Sequence, residues 1–507
     1  GEVDVVSQWT YSYPDPIRIG LATDELFAMA DGAPLPQQVM KMTQIIWYRN
    51  QTAPMPGTEA QVTDAFFDDH DDGKGGDKDA ASDRYRARWE REQPDAPFIT
   101  IAPMHLREAF WTKLSRPIQG IMYHGWQSLV PDRSKKGSNY YRFTHSATQH
   151  ELRRLVETVL EPLGPALMQV PDRPSDVAFF ESLSAQMFAR RGTYGWNGGW
   201  SGDMYLILHY AQLQPRIIYE ETLARDGLDA YKVLVMSDCD VLTESAAATV
   251  AAFQANGGIV VGDENVAPRI RPDILIQRHN RPKEADKARA LLLEKAAALR
   301  NELDPHYKRF AESANPDVIT RCRTYGKADY VFAINDLREY GDYVGHHGLV
   351  MENGLPSETR VRISRPGGSV YDLKTHAPVK TTDTPGGLEF GLELEPCEGR
   401  VFMVTNSPIA RITVTAPAHI KRGSQVRAKI AVLSDTGTPI AAIVPLQIEL
   451  LGPSGQAAEF SGYYGAKDGV QDVVFDIAPN DSPGLWELRA EELASGKRAS
   501  TYLRLEK

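Results

Sequence analysis

The sequence predicts a multidomain protein in which α/β segments come first and all-β segments follow. Three observations support this prediction. Strand and helix patterns alternate up to about residue 325, residues 231–264 have the pattern strand–loop–helix–strand, and short strands separated by Gly and Pro turns follow Tyr330. At 507 residues the chain is too long for one hydrophobic core. We therefore expect three or four domains.

Composition excludes several classes of protein. Apolar residues at 42% and charged residues at 24% are typical of a soluble globular protein, and no apolar run reaches the length of a membrane span. The net charge of −11 argues against nucleic acid as a partner. The three cysteines, Cys239, Cys322 and Cys397, form no CxxC pair, which argues against a disulfide framework or a structural zinc site. We expect neither a metal nor a cofactor.

Residues 1–165 alternate strand and helix. Strands are predicted at Val3–Trp9, Val39–Tyr48, Phe98–Ala102 and Ile118–Tyr123, and helices at 24–30, 106–114 and 145–159. Repeated βα units imply a parallel sheet, and four such strands are half of an eight-stranded (β/α)8 barrel. The sequence enters a strand almost directly after Gly1, so we expect the chain to begin inside a domain.

The predicted strands end in aromatic and polar residues, such as Trp9, Trp47 and His124. In a barrel the carboxyl ends of the strands carry the active site, which favours a site here. The alternative is that the aromatic residues belong to the core. Between the second and third strands lies an acidic segment, Asp68 to Asp83. It partly follows the opening of a calcium-binding loop, but a solvated acidic loop is the favoured interpretation.

Residues 166–325 are predicted to form a doubly wound, flavodoxin-like α/β domain. Val233–Met236 is an apolar strand, Thr243 is placed to cap the helix that follows, and Gly257-Gly258 ends that helix before the strand Ile259–Val261. Residues 326–406 and 407–507 follow as two β-sandwiches. Pro445 interrupts one strand of the second, which suits an edge strand or a bulge.

Three segments together resemble one family of enzymes. They are IMYHGWQSL from Ile121, DVAFFES from Asp176, and the whole of Tyr231–Glu264. Their order resembles the β-galactosidases of glycoside hydrolase family 42, in which a (β/α)8 barrel precedes a trimerisation domain and a small β domain. That trimerisation domain has a fold like class I glutamine amidotransferases. The resemblance implies a homo-oligomer, with a trimer as the form that a trimerisation domain suggests. The last sandwich is an addition to the family's order of domains.

The resemblance also implies a mechanism. Two carboxyl groups perform retaining hydrolysis, one after barrel strand four as acid/base and one after strand seven as nucleophile. If Ile118–Tyr123 is strand eight, Phe98–Ala102 is strand seven and Val3–Trp9 is strand five. The acid/base then falls before Gly1. Glu108 is the first carboxylate after Phe98–Ala102, and Asp15 is the second candidate. The structural alternative for Glu108 is a solvated helix residue, paired for instance with Lys113. The structural alternative for Asp15 is a residue that forms a turn.

A sugar offers an apolar ring face for stacking and hydroxyl groups for hydrogen bonds. Aromatic and polar residues at the predicted strand ends are therefore candidates for binding, and a structural role is open for each of them. The candidates are Trp9, Tyr13, Gln44, Trp47, Arg49, His105, Tyr123, His124 and Trp126.

Cys239 stands where an amidotransferase fold would carry its nucleophile, but we expect it to be unreactive. The flanking Asp238 and Asp240 oppose a thiolate, and no glycines flank the turn. Two hypotheses remain for the whole protein. One is a glycoside hydrolase-like enzyme acting on β-linked sugars, such as galactosides or a polysaccharide. The other is a non-catalytic carbohydrate-binding or assembly protein with an incomplete barrel. The last hairpin resembles those of extracellular immunoglobulin-like domains, which favours a periplasmic or extracellular location.

Overall fold

The computed structural model describes most of the chain outside residues 49–97. The described ranges are 3–10, 16–44, 46–48, 98–100, 103–124, 146–189, 199–282, 285–345 and 348–506. They form α/β layers followed by β-sheets that pack in pairs, which confirms the predicted combination of α/β and β-sandwich architecture. The acidic segment 68–83 lies outside the described residues.

The N-terminal part contains a three-stranded parallel sheet in the order β1-β2-β5. Its strands are β1 Val5–Thr10, β2 Gln38–Gln44 and β5 Gly120–His124. Helix α1, Pro16–Asp31, and helix α2, Pro103–Leu114, pack against each other beside this sheet. Leu26, Val39 and Ile118 form a small core between α1 and the sheet.

The parallel pairing predicted for the strand Phe98–Ala102 is wrong. The segment forms only a short strand, β4 Phe98–Thr100, which runs antiparallel to β3 Ile46–Tyr48. Strand β2 instead pairs directly with β5, Met40 opposite Gly120. The described residues therefore contain three parallel strands of the predicted half-barrel, and they do not confirm an eight-stranded barrel.

A helical connection leads to the next domain. It consists of α3 Ser146–Leu155, a π-helical turn Val156–Leu160 and α4 Glu161–Leu167. Its apolar side joins Phe110 and Trp111 of α2 in one large core that extends into both sandwiches. A Cβ atom at Gly399 would lie 2.2 Å from Cγ of Trp111, so this contact requires glycine.

The second domain is a five-stranded parallel sheet in the order β10-β9-β8-β6-β7. Its strands are β6 Val177–Phe180, β7 Arg216–Ile218, β8 Val233–Met236, β9 Ile259–Gly262 and β10 Ile274–Leu275. Its helices are α5 Leu183–Ala189, α6 Trp200–Tyr210, α7 Glu220–Asp226, α8 Glu244–Ala255 and α9 Ala285–Leu303. Residues of α6 and α9 cover one face, and residues of α7 and α8 cover the other, so helices pack on both sides of the parallel sheet.

The local signals of this domain act as predicted. Thr243 caps α8, because its Oγ1 accepts a hydrogen bond from the Ala246 amide at 3.2 Å. Gly257 ends the helix with φ of 89°, a conformation that favours glycine. Strand β8 is buried along its whole length, as the apolar run at Val233–Met236 indicates.

The first sandwich includes strands from Ala311 onward. One sheet has the order β11-β16-β20-β19 and the other β12-β13-β21-β17-β18, with β14-β15 as a separate hairpin. The strands are β11 Ala311–Ser313, β12 Val318–Tyr325, β13 Ala328–Asn335, β14 Arg338–Gly345, β15 Gly348–Gly354, β16 Ser357–Ile363, β17 Ser369–Asp372, β18 Ala377–Val379, β19 Thr382–Thr384, β20 Gly387–Leu394 and β21 Gly399–Thr405.

The second sandwich packs a sheet β22-β24-β27 on a sheet β23-β29-β28-β25-β26. The strands are β22 Ile409–Thr415, β23 His419–Ile420, β24 Gln425–Ser434, β25 Val444–Leu451, β26 Gly462–Ala466, β27 Val470–Asp476, β28 Gly484–Glu492 and β29 Arg498–Leu505. Pro445 lies on β25, between β28 and β26, so the predicted edge strand is wrong. The proline is tolerated because it is the second residue of that strand and precedes its ladder with β28, which begins at Leu446.

A buried ionic cluster joins three parts of the molecule. Asp24 of α1 accepts two hydrogen bonds from Arg116, at 2.7 and 2.9 Å, and one from the Tyr205 hydroxyl of α6 at 2.7 Å. Arg321 of β12 lies 3.3 Å from the same carboxylate and also pairs with Asp172. Burial by itself raises the pKa of Asp24, but Arg116 and Arg321 outweigh it and lower the pKa to about 2.

No helix in the described ranges is long and apolar enough to cross a membrane.

Candidate functional site

The carboxyl ends of β1, β2 and β5 meet at one edge of the N-terminal sheet. Thr10 is in register with Thr43, and Thr43 with Tyr123. One step further along the strands, Gln44 is in register with His124, and Trp9 lies one step before Thr10. The backbone thus brings four predicted sugar-binding residues, Trp9, Gln44, Tyr123 and His124, to one edge.

Five other predicted residues lie off this sheet or outside the described residues. Trp47 lies on β3, where it is in register with Ile99 of the short antiparallel pair and not on the parallel sheet. Tyr13, Asp15, Arg49 and Trp126 lie outside the described residues. Their roles remain predictions.

Tyr123 and His124 point to opposite faces of β5, because successive side chains of a strand alternate. Tyr123 packs against the large core that contains Phe110 and Trp111, and burial raises the pKa of its hydroxyl. This position suits a core aromatic better than a platform for a sugar. His124 is half-buried at the strand end, and partial burial lowers its pKa, so the ring is neutral at physiological pH.

Glu108 lies on α2 with 0% of its surface exposed, not on a solvated helix face. Its Oε1 accepts a hydrogen bond from Nη2 of Arg338 at 2.6 Å, so its ionic partner is Arg338 of β14 and not Lys113. Arg338 also pairs with Asp336. The carboxylate therefore ties α2 to the first sandwich. His105, one turn earlier on α2, is buried as well.

Glu108 was a candidate because Phe98–Ala102 was predicted to be the strand next to β5. Because β2 occupies that place, the strand tip that the family resemblance assigns to a nucleophile is Thr43-Gln44. Neither residue has a carboxyl group. The catalytic role of Glu108 stays a prediction, and both its burial and its ion pair favour a structural role.

Two buried lysines, Lys41 and Lys113, lie beneath this edge. The sequence predicted neither as a site residue, and Lys113 was considered only as a partner of Glu108. Nζ of Lys41 donates hydrogen bonds to the backbone and side-chain oxygens of Gln8 at 3.1 and 3.2 Å, and Nζ of Lys113 donates to Thr43. Burial lowers the pKa of Lys41 to about 7, although Glu25 opposes the shift. Burial and then the charge of Lys41 lower the pKa of Lys113. Lys41 and Thr43 are two residues apart in the strand QVMKMTQ, so both side chains point to one face of the sheet. This spacing indicates a polar face that other elements cover.

Cys239 follows β8 and is fully buried. Its Sγ faces the carbonyl oxygens of Ser237 at 3.4 Å and Phe180 at 3.7 Å. Burial, followed by the charges of Asp263 and Asp238, raises the pKa of the thiol well above its ordinary value. The thiol is therefore protonated and inert, as the neighbouring aspartates predict. Within the described ranges, no three His, Cys, Asp or Glu side chains are grouped so that they could hold a metal ion.

Comparisons with known proteins give a loose likeness to family 42 enzymes. No protein-family model matches the chain, and no curated protein does. A catalytic mutant of a GH42 β-galactosidase from G. stearothermophilus is 12% identical with a TM-score of 0.42, covering 79% of this chain and 60% of that one. An exo-carrageenase GH42 from Bacteroides ovatus is 13% identical with a TM-score of 0.35, covering 60% of this chain and 39% of that one.

A part of the chain is also similar to a smaller protein. A putative superoxide reductase from Thermotoga maritima is 13% identical with a TM-score of 0.17, covering 20% of this chain and 89% of that one. The chain spans between 39% and 60% of the length of the family 42 structures it matches. At such identities and scores the likeness is loose, and it does not show membership of the family.

Proposed function

We propose that the chain is part of a glycoside hydrolase-like protein and binds β-linked sugars, a galactoside or a polysaccharide, at the carboxyl edge of β1-β2-β5. The observation that carries this proposal is the strand register, which places Trp9, Gln44 and His124 at one edge of a parallel sheet. Parallel α/β sheets bind ligands at this edge, because the loops that follow the strands converge there. A stacking aromatic beside amide and imidazole groups suits a polyhydroxylated ring.

The register favours binding over hydrolysis as the role of the described residues. Retaining hydrolysis needs two carboxyl groups about 5–5.5 Å apart at the sugar. The last residues of β2 and β5 are Gln44 and His124, which have no carboxyl group. Glu108 is hydrogen-bonded to Arg338. Asp15, which follows β1 in the sequence, is the remaining carboxylate of the two we considered. Hydrolysis is thus the second proposal, and Asp15 is its remaining candidate for a catalytic carboxylate.

We also propose an oligomeric state and a location for the protein. A homo-oligomer, held together by the α/β domain, follows from the resemblance to the family 42 trimerisation domain. A periplasmic or extracellular location follows from the last hairpin, Gly484–Leu505, which resembles that of extracellular immunoglobulin-like domains.

Gln44 and Gln38 provide a matched test, since they are the same residue type at opposite ends of β2. We expect Gln44→Ala to weaken the binding of a β-linked galacto-oligosaccharide about tenfold, the effect of ~1.4 kcal/mol from a lost hydrogen bond in a desolvated site. Gln38→Ala, at the exposed amino end, is expected to leave affinity unchanged. Isothermal titration calorimetry measures both.

Equal affinities for the wild type and both variants would refute the assignment of this edge. Turnover of nitrophenyl β-glycosides by the same proteins separates the two proposals. Turnover that Asp15→Asn abolishes favours hydrolysis, whereas sugar binding without turnover favours the non-catalytic alternative.

A further inference from the structure

Lys41 is a buried basic residue of the N-terminal sheet, beneath the proposed sugar-binding edge. It lies in the middle of β2 with 0% of its surface exposed. Burying a charged group is costly unless hydrogen bonds compensate for the lost water. Nζ of Lys41 donates to the backbone oxygen of Gln8 at 3.1 Å and to Oε1 of the same residue at 3.2 Å. One amino group therefore bridges β2 to its neighbour β1.

The bridge lies close to the residues that form the edge. Gln8 is in register with Lys41, and Trp9 directly follows Gln8. Lys41 lies three residues before Gln44, which is about 10 Å along the strand. A hydrogen bond to the Gln8 carbonyl restrains the backbone just before Trp9, in addition to the ladder of the parallel pair. The spacing between the positions of Trp9 and Gln44 therefore depends on this bridge.

A second lysine holds β2 from the helix side. Nζ of Lys113 on α2 donates a hydrogen bond to the hydroxyl group of Thr43, the residue directly before Gln44. Lys113 and Thr43 are both buried. Lys41 and Thr43 are two residues apart, so they share the covered face of the sheet. The two lysines thus fix this face of β2 at two points, one to β1 and one to α2.

The charged groups around Lys41 come from the two helices that cover this face. Glu25 of α1 attracts the ammonium form of Lys41, whereas Lys41 and Lys113 of α2 repel each other. The register partners of Lys41, Gln8 on β1 and Ile121 on β5, are uncharged. Burial outweighs Glu25 and lowers the pKa of Lys41 to about 7. Lys41 therefore changes its charge between pH 6 and pH 8.

Other titratable groups near this face keep their charge through neutral pH. Tyr123 of β5 is in register with Thr43, and burial raises the pKa of its hydroxyl. Glu25 is hydrogen-bonded to Glu181, which follows β6, and burial followed by the charge of Glu25 raises the pKa of Glu181 well above its ordinary value. Glu181 therefore holds the shared proton, and Glu25 remains the carboxylate that faces Lys41.

Protonation of Lys41 changes the strength of the bridge. An ammonium group has three protons to donate, and charge-assisted hydrogen bonds are about twice as strong as neutral ones. The neutral amine that forms above pH 7 donates more weakly to Gln8. The link between β1 and β2 is therefore strongest below pH 7.

We propose that Lys41 is a positioning residue of the sugar site, whose ammonium group holds β1 and β2 at the spacing that aligns the positions of Trp9 and Gln44. The inference rests on the proposed function of this edge. It adds a residue that touches no sugar and yet sets the affinity. It also makes sugar binding depend on pH, with an affinity that falls as the pH rises through 7.

Calorimetric titration with a β-linked galacto-oligosaccharide at pH 6 and pH 8 tests the proposal. Lys41→Met keeps the aliphatic stem and removes the amino group. We expect the wild-type affinity to fall about threefold from pH 6 to pH 8, and Lys41→Met to bind about tenfold more weakly than the wild type at pH 6. The affinity of Lys41→Met should change less with pH. His124 is present in both proteins, so the difference between the two profiles belongs to Lys41.

Lys429→Met is the matched control, because Lys429 is an exposed lysine in the middle of β24. It should bind like the wild type at both pH values. Where Lys41→Met does not fold, Gln8→Met decides the question, since it removes the side-chain acceptor of the bridge. We expect Gln8→Met to weaken binding about threefold at pH 6 and to reduce the dependence on pH.

A role in stability alone would weaken Lys41→Met by the same factor at both pH values, and that result would overturn the proposal. An unchanged pH profile in Gln8→Met would overturn it as well. Wild-type affinity in Lys41→Met, together with weak binding by Gln44→Ala, would remove the positioning role and keep the proposed function. Absence of binding by the wild type would refute the proposed function, and the positioning role with it.

Discussion

Replacing Asp24 with asparagine should lower the free energy of unfolding by ~3–5 kcal/mol, the usual cost of removing one partner of a buried ion pair. The loss is large because Arg116 and Arg321 are both buried and would keep their charges without the shared carboxylate. Asp24 also connects α1 to Tyr205 of α6. The substitution is therefore expected to loosen the junction of the N-terminal sheet with the other domains.

Urea denaturation followed by tryptophan fluorescence measures this effect. Asp31→Asn is the matched control, since Asp31 ends the same helix and pairs with Arg216 and Arg225 at the surface. Surface pairs contribute little, so the control should unfold like the wild type. Similar denaturation midpoints for Asp24→Asn and Asp31→Asn would show that the cluster is not needed for stability.

The same cluster predicts a dependence on pH. The folded-state pKa of Asp24, about 2, lies below its ordinary value of 3.8, so its contribution is complete above about pH 4 and is lost as pH falls towards 2. Between pH 4 and pH 2 the wild type should lose more free energy of unfolding than Asp24→Asn, because only the wild type has a carboxylate to protonate at this position. Parallel stability curves of the two proteins between pH 4 and pH 2 would contradict this assignment.

Replacing Glu108 with glutamine should lower the free energy of unfolding by ~2 kcal/mol, the cost of weakening a buried charge-assisted hydrogen bond. The loss is smaller than at Asp24 because Arg338 retains Asp336. Sugar affinity and any glycosidase turnover should remain at the wild-type level. The denaturation midpoint and calorimetric affinity of one preparation measure both properties.

Glu157→Gln is the control for Glu108, because Glu157 forms an exposed pair with Arg153. It should change neither stability nor affinity. If Glu108→Gln instead abolished turnover and kept the wild-type midpoint, Glu108 would be the nucleophile after all. That result would restore the role that the family resemblance implies.

The α/β domain could be predicted from sequence because its signals are local. The apolar strand Val233–Met236, the cap at Thr243 and the stop at Gly257 each act within one turn or strand. Their agreement is typical of a segment whose local preferences match the final fold. Strand β11 was less predictable, because it joins the first sandwich by pairing with β16, far along the chain.

The N-terminal sheet was predicted less well because strand pairing is a long-range property. Phe98–Thr100 has a strand pattern, but nothing in that pattern states that its partner is Ile46–Tyr48. The error carried over to Glu108, whose burial depends on Arg338, 230 residues later. The burial of Lys41 was also missed, since charged residues are almost never fully buried unless paired.

A β-linked sugar bound at the carboxyl edge of β1-β2-β5 should protect the ends of these strands from exchange. Hydrogen–deuterium exchange of the whole chain, with and without a saturating β-linked galacto-oligosaccharide, measures this protection. We predict slower exchange in peptides that cover 38–44 and 120–124, because bound sugar restrains the strand ends. Slower exchange confined to the second sandwich, residues 409–505, would contradict it.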